Sequence, residues 1–164
     1  MAEVKILVEG YTSAYADGDS SDEAEKTCAT ISLVCDNNIN IVVDPGILKD
    51  QQILIDVLAK EGLVFNDIDI VFITHSHLDH YRNIGMFARA KTLEYFGLWD
   101  GNKVDDWNEQ FTKDIKIIKT PGHNYDHLTM LVHTKQGTVA VTGDVFWKES
   151  YPVNETLTPA TPKN

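Results

Sequence analysis

Three things are scarce in this chain: cysteine, positive charge and long hydrophobic runs. Its 164 residues include 2 cysteines and 14 Lys and Arg against 25 Asp and Glu, for a formal net charge of −11. Two cysteines rule out a disulfide-dense scaffold. Cys28 and Cys35 stand an odd number of residues apart, so a single strand from one to the other would place them on opposite faces as separate thiols. The shortage of Lys and Arg argues against a general nucleic-acid binder, because phosphate backbones are held mainly by basic side chains. Bound divalent cations soften that argument, since they add positive charge where a phosphate would sit. Apolar runs end at strand length, far below the roughly 20 residues that span a bilayer. The opening MAEVKILVEG lacks the basic segment, apolar core and small-residue cleavage site of a secretory signal. The expectation is a cytoplasmic protein without a membrane segment, in which the sequon at Asn154 carries no weight.

The length suits one domain, and no Gly/Ser or Pro-rich linker interrupts the interior. We read residues 1–151 as that domain and 152–164, with Pro152, Pro159 and Pro162, as a tail. Hydrophobic periodicity predicts strands at Val4–Val8, Cys28–Cys35, Ile39–Val43, Ile70–Ile73, Lys91–Tyr95, Ile115–Lys119, Leu128–Thr134 and Thr138–Thr142. A helix is predicted from an Asp50 cap to Glu61, stopped by Gly62, and a short one over Tyr81–Arg89. Asp17 to Glu25 and Asp100 to Glu109 read as solvated acidic loops. Asp17, Asp19 and Asp22 lack the glycine and terminal glutamate of an EF-hand loop.

The chemistry is concentrated in Thr74-His75-Ser76-His77-Leu78-Asp79-His80, directly after the apolar run Ile70 to Ile73. Alternate residues of an extended chain project to one side, so His75 and His77 can grip one ion. The following turn brings Asp79 and His80 toward a second.

This arrangement resembles the HxHxDH signature of the metallo-β-lactamase fold superfamily. Three further stretches extend the likeness: Thr120-Pro121-Gly122-His123, Thr142-Gly143-Asp144 and the turn Val42-Val43-Asp44-Pro45-Gly46. VKILVEGY, DHYRNIGMF and TGDVFW are similar to the small stand-alone members grouped around metallo-β-lactamase domain-containing protein 1. The resemblance implies an α/β (α+β) fold, the four-layer αββα sandwich. It also implies a ligand set: His75, His77 and His123 on a first metal, Asp79 and His80 on a second, and Asp144 bridging. Asp79 is then also the catalytic residue, orienting a metal-bound hydroxide and taking its proton. Thr74, Ser76 and Thr142 become candidates to hydrogen-bond the ligands, and Trp99, Trp107, Trp147 and Tyr125 to line the cleft.

Zinc prefers nitrogen-rich shells, so one or two Zn²⁺ per chain are expected, with Mn²⁺ or Fe²⁺ compatible with the oxygen-richer second site. The flavin-linked di-iron branch of the superfamily has a glutamate where this chain has His77, which favours hydrolysis over redox chemistry. The family's last second-site histidine has no counterpart after Asp144, so the final strand and helix are expected to be missing. That leaves a sheet edge for a partner or a second copy in a homodimer to cover. His127 and His133 stand outside the family's ligand positions and are expected to be structural or exposed. Arg82 stands where many relatives have glycine, and reads equally as a surface residue or as a partner for a substrate carboxylate or phosphate.

The leading functional expectation is a zinc-dependent hydrolase of a small ester, thioester, lactone or β-lactam. The alternatives are a metal-dependent phosphodiesterase or ribonuclease acting on RNA, and a non-catalytic metal-binding partner or degenerate copy.

Overall fold

The computed structural model describes residues 1–13 and 26–146. The acidic stretch from Asp17 to Glu25, the tail 152–164, the sequon and Trp147 lie outside the described residues.

Alternation builds the first sheet. Strands β1 (Glu3–Val8), β4 (Ile31–Asp36), β5 (Ile39–Val43), β6 (Ile70–Phe72), β7 (Lys91–Glu94), β8 (Gly97–Asp100) and β9 (Lys103–Asp105) lie side by side in that order. The centre is parallel, β5 on β6 and β6 on β7, while the flanking pairs are antiparallel. Val34, Ile41, Val43, Ile70 and Phe72 face a second sheet. Ile31, Leu33, Val42 and Val71 face helix α1 (Gln52–Lys60) on the other side. Both faces of the central strands are therefore covered, which is why Ile70-Val71-Phe72 is apolar throughout.

The second sheet is an antiparallel meander of β10 (Ile115–Lys119), β11 (Leu128–Thr134) and β12 (Gly137–Val141). Its inner residues Ile115, Ile117, Leu128, Met130 and Val132 close the core between the sheets. Helix α1 presents Leu54 and Leu58 inward and ends where Gly62 takes a φ of +74°. Among the described residues, helix, large sheet and small sheet stack as three of the four layers that the resemblance implies, a mixed α/β arrangement. The outer side of the small sheet, with Lys116, His133 and most of β12, is exposed.

Three segments differ from the sequence reading. Cys28–Cys35 is not one strand. β3 (Thr27–Cys28) pairs with β2 (Tyr11–Thr12), and the chain breaks at Ala29-Thr30 before β4. Gly10 lies against that break, where a Cβ would come within 2.5 Å of the Thr30 nitrogen. The predicted helix over Tyr81–Arg89 is instead helix α2 (Leu78–Tyr81) followed by a 3-10 turn at Ile84–Met86. Asn83 ends α2 by donating its backbone N–H to Gly46 and accepting from Leu48 N on Oδ1 at 3.0 Å. The acidic segment from Asp100 contributes the β8–β9 hairpin. Cys28 is buried, Cys35 half-buried, and both are free thiols.

Candidate metal centre

The site gathers where four strands end. β5 delivers Asp44, β6 delivers Thr74 to His80, the β10–β11 loop delivers His123, and the turn after β12 delivers Asp144. The Leu128 N–H donates to the Thr74 carbonyl at 2.7 Å, which ties the two sheets together at this end.

His75 Nε2 and His123 Nε2 each lie 2.9 Å from His77 Nδ1. Asp144 Oδ2 is 3.6 Å from His123 Nε2 and 4.0 Å from His75 Nε2. The four donor atoms all fall within 4.8 Å of one another. Ring nitrogens this close either share a proton or hold a cation between them. A nitrogen-rich set with one carboxylate suits zinc chemistry.

A second set adjoins it. His80 Nε2 lies 3.4 Å from Asp144 Oδ2 and 3.9 Å from Asp79 Oδ2. His80 is 1% exposed, and Asp144 and Asp79 are the carboxylates nearest its Nε2. Asp79 accepts from Thr27 Oγ1 at 2.9 Å, so the base of the β2–β3 ribbon fixes this carboxylate.

Behind the ligands stands Asp44, which the sequence reading placed only in a strand-closing turn. It is 2% exposed and has a φ of +50°, a conformation that costs energy in a residue with a Cβ. It accepts from Thr74 N and Thr74 Oγ1 at 2.8 Å each and from His80 Nδ1 at 2.9 Å. With the Thr74 hydroxyl proton committed to Asp44, Thr74 Oγ1 accepts from His75 Nδ1 at 3.1 Å. Both histidines are thereby held in the tautomer that leaves Nε2 open to a metal.

A match to the metallo-beta-lactamase superfamily model covers residues 29–98. That stretch is similar to the metallo-beta-lactamase superfamily. The chain is similar to metallo-beta-lactamase domain-containing protein 1 of Xenopus laevis, 28% identical over 155 residues that cover 89% of this chain and 64% of that one. A solved Thermotoga maritima structure described as a metallo-beta-lactamase matches with a TM-score of 0.70 at 25% identity, over 86% of this chain and 77% of that one. An N-acyl homoserine lactone hydrolase, solved with its product at the catalytic metal centre, shares the fold at a TM-score of 0.62 and 13% identity, over 85% of this chain and 73% of that one. The chain spans between 36% and 64% of the length of the curated relatives it matches.

Electrostatics divide the site in two. Burial, with His80, His127 and His77 nearby, pushes His75 down to about 2. Burial also pushes His127 down to about 4 and holds His123 below its ordinary value, against the pull of Asp144. Burial alone would lower His80 as well, but Asp144 and Asp44 carry it up to about 10. Burial would raise Asp144, and His80 outweighs it, holding the carboxyl below its usual range. His75 and His123 are thus ready to accept a cation, whereas His80 must release a proton to ligate one.

Of the remaining candidates, Thr74 touches the ligands directly. Ser76 donates its backbone N–H to Asp126 Oδ2 at 3.1 Å, and Thr142 Oγ1 contacts the Gly143 carbonyl at 3.4 Å. His127 is fully buried, stacks on the His75 ring at 4.9 Å and stays outside the four-donor cluster, while His133 is exposed. Arg82 is exposed. Trp107 packs into the core and donates Nε1–H to the Glu94 carbonyl at 3.0 Å. Trp99 and Tyr125 are exposed. A groove of about 430 Å³, walled by Ile6, Val139 and Val141, leads to Asp44, His80 and Asp144.

Proposed function

We propose that this chain is a metal-dependent hydrolase that opens a small ester, thioester, lactone or β-lactam. His75, His77, His123 and Asp144 would hold one zinc, and Asp79, His80 and Asp144 a second ion, either zinc or a metal more tolerant of oxygen. The observation that carries the reading is the convergence of three imidazole nitrogens and a carboxylate within 4.8 Å, backed by Asp44 and Thr74. Bound zinc supplies Lewis acidity, polarising a carbonyl oxygen and lowering the pKa of water. The chain's own residues do the rest. Thr27 holds Asp79 in place to take the proton of the attacking water. Asp44 orients His80, and Thr74 orients His75. Small substrates fit the net charge of −11 better than a polyanion does. The reading sets the protein in the cytoplasm. It also pairs two copies along a sheet edge, since β9 and β12 each end a sheet among the described residues.

Metal content of the purified chain by mass spectrometry, followed by turnover on thioester, lactone and nitrocefin panels, tests the proposal. Bound zinc with hydrolysis, lowered at least a hundredfold by Asp79→Ala, is the expected result. Salt-sensitive RNA cleavage with the panels inert would replace it with the nuclease reading, and zinc binding without any turnover would replace it with a non-catalytic role.

A further inference from the structure

Beside the metal centre, and sharing His75 with it, lies a cavity of about 190 Å³. Ile73, Ile84, Tyr81 and Tyr95 supply an apolar and aromatic wall, and Asp126 supplies a carboxylate. Asp126 is 4% exposed. One of its oxygens accepts from Ser76 N at 3.1 Å, and the other, Oδ1, is buried without a partner. A buried acceptor left without a partner is costly, so a donor at this wall would be favoured. Glu94, also in the wall, is already engaged through both oxygens, by the Phe96 N–H and the Trp99 indole. Among the described residues, no Lys or Arg lines the cavity. Lys119 stacks on the Tyr95 ring at 4.4 Å but belongs to the wall of a neighbouring cleft.

An apolar chamber with aromatic sides and one unanswered carboxylate suits an organic ammonium group on a hydrophobic body. Its charge would pair with the Asp126 carboxylate in the wall, beside the rings of Tyr81 and Tyr95. We infer that this cavity is a substrate subsite that takes an amine-bearing arm, with Asp126 as its specificity residue. Its use in turnover rests on the hydrolase reading above, while its binding does not. The carboxylate stands one residue before buried His127 and holds the backbone of Ser76 between two histidines of the metal cluster. An arm seated there therefore fixes the rest of the substrate against the metal centre.

The test is an NMR titration of the ¹⁵N-labelled full chain with benzylammonium and, separately, with its neutral isostere benzyl alcohol. Benzylammonium should bind saturably and at least tenfold tighter, shifting the Ser76 and Tyr95 amides. Asp126→Asn keeps an oxygen for the Ser76 N–H while removing the charge, and should erase that preference. Equal affinity for the two probes, a preference that survives in Asp126→Asn, or no saturable binding (a cavity holding water only) overturns the assignment. Should Asp126→Asn fail to fold, Ile84→Phe narrows the chamber without touching the carboxylate. Loss of benzylammonium binding in that variant supports the assignment, and retention overturns it. Because binding is read without turnover, a failure here is separate from a failure of the hydrolase reading, which Asp79→Ala addresses.

Discussion

At the residue scale, the Thr74 hydroxyl has the widest reach, since it contacts Asp44, His75 and His80. Thr74→Val keeps the strand-end shape and removes that junction. Zinc affinity should fall about 10–100-fold, the usual cost of losing a group that orients a ligand, as measured by competition with a chromogenic chelator. The histidines also determine a pH signature. The folded value of His80, about 10, lies above its ordinary one, so its contribution to the stability of metal-free protein is complete below about 6.5 and is lost as pH rises toward 10. His75 and His127 are shifted the other way, to about 2 and about 4, so their contributions are complete above about 6.5 and are lost as pH falls. Melting temperatures of chelated protein across pH 4–10 should therefore peak near pH 6.5, as far as these groups decide it. Calorimetry in buffers of different ionisation enthalpy should show a proton released when His80 takes up a metal.

At the element scale, the turn after β12 presents Asp144 and depends on Gly143. Its φ is +48°, and a Cβ there would come within 2.5 Å of Thr74 Oγ1. Gly143→Ala therefore strains the backbone and pushes on the hydroxyl that orients His75. It should destabilise the chelated protein by about 1–3 kcal/mol in urea unfolding, and it should weaken zinc binding as well. The same scale shows where the sequence was readable. Strands β4, β5, β6, β10 and β11 follow apolar alternation or an unbroken apolar run, because each presents one or both faces to a dry core. The β8–β9 hairpin was readable too, since Trp99-Asp100-Gly101-Asn102 is a turn signal and Gly101 takes a φ of +61°. The acidic composition of the segment hid it. The break at Ala29-Thr30 had no local signal: it arises where Gly10 packs against Thr30, a contact between distant segments.

At the scale of the whole molecule, two sheets pressed together hold the four ligand-bearing ends in register. Phe72 is fully buried at their interface. Phe72→Ala should cost about 3–5 kcal/mol, and zinc occupancy should fall with it as the sheets loosen, checked by denaturation and metal analysis of one preparation. Metal should in turn stabilise the fold, by about 2.7 kcal/mol at a free concentration one hundred times its dissociation constant. Chelation should reverse the gain in a thermal melt.

Sequence by itself determined the donors. Metal ligands must be particular residue types, and His75, His77, Asp79 and His80 stand so close in the chain that local geometry alone puts them at one strand end. It determined the core as well, because burial demands apolar side chains at the spacing of each element. Only tertiary structure decided what surrounds those donors. Asp44 reads as a turn residue until β5 and β6 pair and bring its carboxylate to Thr74 and His80. Asp126 reads as a loop residue until the β10–β11 loop folds over Ser76 and leaves one oxygen facing no partner. Support and selectivity come from contacts between residues 30 to 50 positions apart, and no local pattern in a single sequence records a contact of that range.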